Sequence, residues 1–506
     1  MGHGIVETIG KFTVAVVLAS LSTTGAWGND ARSLVIVIDG LRPDYITPEL
    51  APNLYALGER GVFGKKHTAI YPTYTRPNSA SVSTGTFPRT HGLIHNHMWD
   101  PVMGEDRFST GTASNLREYD EATGGELLTT VTLAEVLDEN GVDFFVTGTG
   151  GSGTTLMLNR FGTGKGVWQG RGVFIPSEGE EAAIEALGEL PEDPRGPEGT
   201  DWSFDAYLHH ALSDDPPAVT FMWINEPDST GHSYGVGAPE TLEAVASSDR
   251  NIGRIVEAHE EHGLTDKVNI FVTSDHGFST TLGGLDVGGT IEEAGLDGDG
   301  VRVVRNMVWV EEGGAARLAD IAEALQRDEN VGNVYTRPAR HGSSEGIAPG
   351  TLSTDVIQWN HPRSADLIAS PAWTDEENEF GFAGTTTFGG TATHGSDSPF
   401  DLQIMLVAAG PDIKQGVRSE VPTSNVDLAP TVLHLHGIRP PYQMDGRIMR
   451  EILVDGPNPA DVPVHEHLHR AAVTYPDGFR YEAEMEVLRV GRTFYTRGAD
   501  RARSTE

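Results

Sequence analysis

Apolar runs that end in acidic residues constrain the fold of this chain more than any other feature of its sequence. SLVIVIDG is nearly continuous in β-branched residues and ends at Asp39, AVTFMWINEPD ends at Asp228, and KVNIFVTSDHG leads into Asp275 and His276. Such runs are typical of parallel strands that are buried on both faces. We therefore expect a mostly parallel central sheet with these polar residues at the carboxyl ends of its strands.

Helical segments separate the apolar runs. In TLAEVLDENG the residues Leu133, Val136 and Leu137 share one helical face, and apolar residues recur at helical spacing from 239 to 262, just before Gly263 in a C-cap position. Alternating strands and helices predict an α/β fold built as a sandwich. In such sheets ligands bind beyond the carboxyl ends of the strands, where the acidic residues fall.

Four segments organise the chain. Lys11 and the apolar run of residues 12–21 predict a secretory signal peptide over residues 1–28, which would place the mature protein in the periplasm or outside the cell without a stable membrane anchor; a retained N-terminal anchor is the alternative. Residues 29–454 are the expected catalytic domain. Its region of about 280–393, rich in glycine and charge, is predicted to be an inserted cap. Residues 455–506 form a C-terminal segment with an expected β-hairpin in RYEAEMEVLRVGRTFYTRG.

Charge and cysteine content exclude several function classes. The formal net charge of −37 disfavours a nucleic-acid polymer as partner, because a polyanion would be repelled before local contacts form. The absence of cysteine excludes disulfides, thiolate metal ligands and a cysteine nucleophile. A small anionic substrate would need cations within its own binding site. The oligomeric state is left open.

The polar residues near the strand ends suit a metal centre. Asp228 and His232 are four residues apart in DSTGH, a spacing that places both on one side of a helical turn. Carboxylates and imidazoles without thiolates favour zinc or a similar divalent cation. The candidate ligands are Asp39, Asp228, His232, Asp275, His276 and His394. Six ligands and a nucleophile suit a site with two cations, which stabilises both oxygens of a displacement.

The segment YPTYTRPNSASVSTGTFPRTHGLIHNHMWDP carries the most specific pattern. Its elements PTYT, PN, TG, HG and NHMWDP resemble the nucleophile segment of the nucleotide pyrophosphatase/phosphodiesterase family of the alkaline phosphatase superfamily. The motifs DGLRPDY, NEPDSTGHSYG, DRNIG, NIFVTSDHG and THG follow in that family's order, and together they cover most of residues 34–440. The resemblance implies an alkaline phosphatase-like three-layer sandwich.

The resemblance also implies the chemistry. Thr75 is the expected nucleophile, activated by a metal ion instead of a neighbouring base, and it would form a covalent phospho-threonine intermediate during hydrolysis of a phosphodiester or pyrophosphate bond. Asn96 would donate a hydrogen bond to a phosphoryl oxygen. Asp39, Asp275 and His276 would hold one zinc ion, with Thr75. Asp228, His232 and His394 would hold the second. The partner is then a small-molecule phosphate ester.

One residue departs from the family pattern. Arg76 stands directly after Thr75, where the family usually has an aromatic residue that stacks on a nucleobase. Arg76 is therefore expected to bind substrate, by stacking on a ring or by pairing with a second anionic group. The glycine-rich TGTGGSGTTLML from Thr147 marks a second wall of the site, with a flexible turn as the favoured interpretation; the spacing of a phosphate loop is absent.

Several alternatives stay open at this point. A phosphomonoesterase is one alternative, because Arg76 could bind the extra charge of a terminal phosphate. A phosphonate hydrolase would use the same nucleophile and metals, and a catalytically inactive binding protein would keep the fold alone. A sulfatase is disfavoured, because it needs Cys or Ser in place of Thr75 and an arginine where this chain has Ser79.

Overall fold

A computed structural model of the chain describes Met1 and residues 31–104, 107–311 and 313–505. Apart from Met1, the predicted signal peptide of residues 1–28 lies outside the described residues. The strands in chain order are β1 (Arg32–Ile38), β2 (Val62–Thr68), β3 (His97–Met98), β4 (Phe108–Ser109), β5 (Phe144–Gly148), β6 (Gly166–Gln169), β7 (Val173–Ile175), β8 (Val219–Ile224), β9 (Val268–Thr273), β10 (Ser279–Thr281), β11 (Val301–Val304), β12 (Met307–Val310), β13 (Val331–Thr336), β14 (Leu352–Ser353), β15 (Leu367–Pro371), β16 (Trp373–Glu377), β17 (Ala383–Thr386), β18 (Ala392–Thr393), β19 (Gln403–Ala409), β20 (Val417–Ser419), β21 (Thr423–Ser424), β22 (His465–Thr474), β23 (Phe479–Val490) and β24 (Thr493–Thr505).

The α-helices lie mostly between strands of the central sheet. In chain order they are α1 (Pro52–Arg60), α2 (Thr75–Thr84), α3 (Pro88–His91), α4 (Ala113–Ala122), α5 (Leu133–Glu139), α6 (Ser152–Leu158), α7 (Gly179–Leu187), α8 (Pro197–Ala211), α9 (Asp228–Tyr234), α10 (Pro239–Glu261), α11 (Val287–Glu293), α12 (Gly314–Arg327), α13 (Pro399–Leu402) and α14 (Leu428–Leu435). Within the described ranges, no helix combines the length and the apolar character that a bilayer-spanning segment needs.

The central sheet has the strand order β20-β2-β19-β9-β1-β8-β5-β6-β7, with β21 beside β2. Strand β1 pairs in parallel with β8 and with β9, so three of the predicted strands are direct neighbours. Strand β19 runs antiparallel to β9 and β2, and β7 runs antiparallel to β6. The prediction of a mostly parallel sheet is confirmed.

Alternate residues of β1 pack against two different layers of helices. Leu34, Ile36 and Ile38 are buried among residues of α1, α8 and α10. Val35 and Val37 face the other way and are buried among residues of α2, α5 and α14. A strand with apolar side chains on both faces must be covered on both sides, which explains the continuous apolar run. The expected three-layer α/β sandwich is confirmed.

The chain between residues 279 and 393 builds additional sheets beside this sandwich. Strands β16-β17-β10-β18 form one, and β11-β12-β15-β13-β14 form another that packs on α11 and α12 around its own apolar core. At the C-terminus β22, β23 and β24 form an antiparallel three-stranded sheet, so the residues of the expected hairpin lie in β23 and β24. It stays a prediction that the region of about 280–393 is an inserted cap and that residues 455–506 form a separate C-terminal segment.

Tyr481 of β23 joins the C-terminal sheet to β13. Its buried hydroxyl donates to the carbonyl of Gly332 at 2.9 Å and accepts from the amide of Val334 at 3.2 Å. We expect Tyr481→Phe to lower the free energy of unfolding by about 1–3 kcal/mol, because two buried backbone groups lose their partner. Urea denaturation measures this. Tyr442→Phe is the control, since Tyr442 is 87% exposed. Equal free energies of unfolding for Tyr481→Phe and wild type would contradict a stabilising role of these two hydrogen bonds.

Candidate active site

The candidate ligands meet at the carboxyl edge of three adjacent strands. Asp39 directly follows β1, Asp228 begins α9 shortly after β8, and Asp275 follows β9. Because the strand order is β9-β1-β8 and all three run in parallel, their carboxyl ends lie side by side. The sheet register thus brings together residues that are far apart in sequence.

The first group of ligands surrounds Nε2 of His276. This nitrogen lies 3.3 Å from Oδ1 of Asp39 and 3.3 Å from Oδ2 of Asp275. The hydroxyl of Thr75, the first residue of α2, lies 3.5 Å from the same nitrogen. The remaining carboxylate oxygens are occupied: Trp223 donates to Oδ2 of Asp39, and the amide of Gly40 donates to Oδ1 of Asp275.

The second group centres on Asp228. Its Oδ1 lies 3.3 Å from Nε2 of His232 and 3.4 Å from Nε2 of His394. The rings of His276 and His394 stack with centroids 3.4 Å apart, so the two groups adjoin. The atoms that could share a cation are those of Asp39, Asp275 and His276, and those of Asp228, His276 and His394. His276 thus lies within reach of both groups, whereas the resemblance assigns it only to the first.

Backbone carbonyls fix the tautomer of all three imidazoles. Nδ1 of His232 donates to the carbonyl of Ala392 at 3.0 Å, Nδ1 of His276 to that of Gly277 at 2.9 Å, and Nδ1 of His394 to that of Thr73 at 2.7 Å. Each Nε2 therefore faces a carboxylate oxygen, in a position to hold a proton or a cation. Carbonyl-anchored histidines are typical of metal ligands.

The facing carboxylate oxygens lack compensation of their own. Oδ1 of Asp39, Oδ2 of Asp275 and Oδ1 of Asp228 are buried and accept no hydrogen bond within the described part of the chain. A buried charge without a partner costs several kcal/mol. Lone pairs that face carboxylates are repelled unless positive charge lies between them. The donor set of carboxylates and imidazoles therefore fits divalent cations, and zinc in particular.

The pKa shifts of Asp275 and His276 also indicate that positive charge is bound favourably in this cluster. Burial raises the pKa of Asp275 well above its ordinary value, and the charge of Asp39 adds to the rise. For His276 burial acts in the opposite direction, yet the charge of Asp275 and the contact with Asp39 raise its pKa to about 10. The cluster thus holds extra positive charge tightly, as protons or as cations.

Asn96 lies at the entrance of α2 with its side chain oriented by the backbone. Its Oδ1 accepts from the amide of Arg76 at 2.9 Å, which leaves the Nδ2 donor to face outward. Its own carbonyl accepts from the amide and the hydroxyl of Thr110. Asn96 is only partly buried and lines a cavity together with His232 and His394.

Arg76 points into the protein, next to the glycine-rich segment. Its side chain is 6% exposed, and its Nη1 donates to the hydroxyl of Thr154. Burial lowers its pKa to about 10, while the charges of Asp39, Asp275 and Asp228 act against this shift. The favoured interpretation of TGTGGSGTTLML as a flexible turn is wrong: residues from Ser152 form the helix α6, which packs on α2 around this guanidinium.

A buried carboxylate that sequence reasoning missed orders the loop of His394. Asp401 accepts from the amide and hydroxyl of Ser396 and from the hydroxyl of Ser279. Thr73 completes this layer, because its hydroxyl donates to the carbonyl of Ser396 and accepts from the amide of Gly395. Short polar residues in SDSPFD gave no sequence signal for this role.

We expect chelation of divalent cations to lower the melting temperature by several degrees, and added zinc to restore it, because the buried carboxylates lose their compensating charge. Asp228→Asn should lose one of two bound zinc ions. Elemental analysis and scanning calorimetry measure both effects. His262→Gln is the control: its Nδ1 also bonds a carbonyl, of Ala258, but the ring is exposed. A melting temperature insensitive to chelation would contradict the fit to cations.

Comparison with known proteins identifies a family. The model of the type I phosphodiesterase / nucleotide pyrophosphatase family matches residues 33–375. Mouse ectonucleotide pyrophosphatase/phosphodiesterase family member 7 is 26% identical over 55% of this chain and 56% of its own length. The match thus spans about half the length of that relative. Mouse bis(5′-adenosyl)-triphosphatase enpp4 is 25% identical over 82% of this chain and 81% of its own.

Solved structures show the same fold. Murine ectonucleotide pyrophosphatase / phosphodiesterase 5 in complex with AMP superimposes with a TM-score of 0.57 at 18% identity, covering 81% of this chain and 96% of that one. At this identity the likeness concerns the fold alone.

Proposed function

Because the chain belongs to the type I phosphodiesterase / nucleotide pyrophosphatase family of phosphoric ester hydrolases, we propose that it hydrolyses phosphodiester or pyrophosphate bonds through a covalent intermediate on Thr75. The observation that carries this proposal is the position of the Thr75 hydroxyl. It lies at the first residue of α2 and 3.5 Å from Nε2 of His276, beside Asp39 and Asp275.

Two divalent cations, which we assign as zinc, fit the cluster. Asp39, Asp275 and His276 would hold one together with Thr75, and Asp228, His232 and His394 would hold the other. Bound there, the cations supply Lewis-acid stabilisation of phosphoryl charge and favour the alkoxide form of a hydroxyl. This proposal rests on the unpaired carboxylate oxygens and the carbonyl-anchored imidazoles.

The reaction needs two displacements at phosphorus. The Thr75 hydroxyl gives up its proton to solvent, its oxygen forms a bond to phosphorus, the bond to the leaving oxygen breaks, and that oxygen departs with the bonding electrons. Water then attacks the phospho-threonine, which releases the phosphate product and restores the Thr75 hydroxyl with a proton from water. The start of α2 holds Thr75 in place, and its helix dipole favours negative charge at this oxygen.

Asn96 stabilises the charge that develops on the phosphoryl group. With Oδ1 fixed by the amide of Arg76, its Nδ2 donor is oriented in advance and needs no rearrangement during the reaction. Such donors lower the barrier because they are already aligned where charge appears. The same hydrogen bond ties Asn96 to the residue next to the nucleophile, so donor and nucleophile share one rigid unit.

The burial of Arg76 bears on the choice of substrate. Because its guanidinium is bonded to Thr154 and covered by α6, it contributes no aromatic-like stacking surface and little free charge for a terminal phosphate. Arg76 is therefore poorly placed to bind the extra charge of a phosphomonoester. We propose that Arg76 acts on substrate through its backbone amide and Asn96, and that diesters and anhydrides are preferred over monoesters.

The relatives support a proposal for the substrate class and the location. One is named for cleavage of bis(5′-adenosyl) triphosphate, and a related structure contains AMP. We propose that this chain acts on a small nucleotide-like phosphate ester. Other relatives are named as ectonucleotide and venom enzymes. With the predicted leader of residues 1–28, this supports action in the periplasm or outside the cell.

We expect the zinc-loaded protein to hydrolyse bis-p-nitrophenyl phosphate faster than p-nitrophenyl phosphate. Thr75→Ala should lower kcat by about 10³-fold or more, because the nucleophile is lost, whereas Thr75→Ser should keep part of the activity. Ser83→Ala removes another buried hydroxyl of α2, one bonded to the carbonyl of Met157, and should have no effect. An active Thr75→Ala, or a strong preference for the monoester, would contradict the proposal.

For Asn96→Ala we expect a fall in kcat of about 10²–10³-fold with little change in KM, since a donor aimed at developing charge acts mainly in the transition state. Steady-state kinetics on bis-p-nitrophenyl phosphate measures this. Asn115→Ala, which removes an amide bonded to the carbonyl of Ser109, is the matched control. A change confined to KM would assign Asn96 to ground-state binding instead.

A further inference from the structure

A cavity of about 660 Å³ opens directly beside the second group of candidate ligands. The imidazoles of His232 and His394 line one side, together with Asn96. His97 and Arg305 also line the cavity, and Arg305 belongs to the additional sheets built by residues 279–393. The cavity is therefore continuous with the reacting centre and is closed by a part of the chain that the sequence motifs do not include.

The cavity lies on the side from which a leaving group departs. In an in-line displacement the attacking and leaving oxygens are on opposite sides of phosphorus. Thr75 belongs to the group of Asp39, Asp275 and His276. The leaving oxygen then faces the group of Asp228, His232 and His394, two of which line the cavity.

Arg305 brings a positive charge to the cavity, although the chain as a whole carries −37. Arg305 is exposed, and no ion pair joins it to a carboxylate within the described ranges. Burial, and then the charges of Arg305 and Arg107, lower the pKa of His97 to about 4, so His97 is a neutral imidazole near Arg305 that can donate a hydrogen bond to an anion. One carboxylate also lines the cavity: Asp286, which accepts from the amide of Gly289 and caps α11.

The backbone presents Arg305 in an unfavourable conformation. Arg305 and Asn306 form the two-residue turn between β11 and β12, where Val304 pairs with Met307. Arg305 has a φ of 58°, in the left-handed region, at a turn position where glycine is the preferred residue. A long side chain kept in such a conformation points to a role for that side chain. Asn306 anchors the turn by donating to the carbonyl of Ala369 at 2.7 Å.

We propose that Arg305, with His97, binds a phosphate carried by the leaving group, and that the chain therefore selects phosphoric anhydrides over diesters with an uncharged leaving alcohol. The proposal rests on the proposed hydrolase function and assigns Arg305 as a specificity-determining residue of that site. A guanidinium suits this role because it donates two parallel hydrogen bonds to a phosphate. Arg305 stabilises the departing phosphate but exchanges no proton with it.

Two substrates with the same retained half test the proposal. Thymidine 5′-triphosphate and p-nitrophenyl thymidine 5′-phosphate both yield thymidine 5′-phosphate, and their leaving groups are pyrophosphate and p-nitrophenolate. For Arg305→Gln we expect kcat/KM on the triphosphate to fall by about 10-fold or more, with the nitrophenyl ester unaffected. Arg305→Lys should keep part of the preference. Arg340→Gln, an exposed arginine outside the cavity, is the control for both substrates.

Equal losses on both substrates, or no loss on the triphosphate, would overturn the assignment of Arg305. A wild-type enzyme that turns over only the nitrophenyl ester would overturn it as well, while the hydrolase proposal would stand. If neither substrate is turned over, the hydrolase proposal fails. Calorimetric titration of pyrophosphate into the zinc-loaded protein then tests the anion site at Arg305 on its own. Weaker binding by Arg305→Gln would support the anion site, and equal affinity would overturn it.

Discussion

Three buried carboxylate oxygens facing the Nε2 atoms of three imidazoles form the interaction on which the rest of this site depends. Oδ1 of Asp39, Oδ2 of Asp275 and Oδ1 of Asp228 lie 3.3–3.4 Å from these Nε2 atoms, which can hold either a proton or a cation because each Nδ1 is bonded to a carbonyl. Without positive charge at its centre this arrangement is repulsive and poorly solvated. Positive charge at the centre, as protons or as cations, turns the same contacts into attraction.

The surrounding residues keep this unfavourable arrangement in place. Trp223 and the amide of Gly40 donate hydrogen bonds to the outer oxygens of Asp39 and Asp275. The carbonyl of Thr73, shortly before α2, accepts a hydrogen bond from His394. Asp401 accepts hydrogen bonds from the amide and the hydroxyl of Ser396 in that loop. Since Asp39, Asp275 and the three imidazoles are held from outside the cluster, little rearrangement of these side chains is needed when a cation or a phosphoryl group arrives. Asn96 is tied to the start of α2, where Thr75 lies, by its bond to the amide of Arg76.

The sequence predicted the parts of the site that strand order alone determines. Asp39, Asp228 and Asp275 follow apolar runs, and parallel strands bring such residues to one edge, so the fold and the positions of these residues could be anticipated. The inward direction of Arg76 could not, because it depends on α6: a side chain at Gly151 would come within 2.5 Å of the guanidinium. Stacking of His276 on His394 and the contribution of Arg305 also depend on tertiary contacts between distant segments, for which no local pattern exists.

Crystals grown with zinc and measured at the zinc absorption edge would test the central claim most directly. Our account predicts two anomalous peaks, one bounded by Asp39, Asp275 and His276 beside Thr75, and one bounded by Asp228, His232 and His394. The alternative is a cluster held together by protons alone. Absence of anomalous density at both positions, with carboxylates and imidazoles in direct hydrogen bonds, would contradict a metal-dependent site and the mechanism built on it.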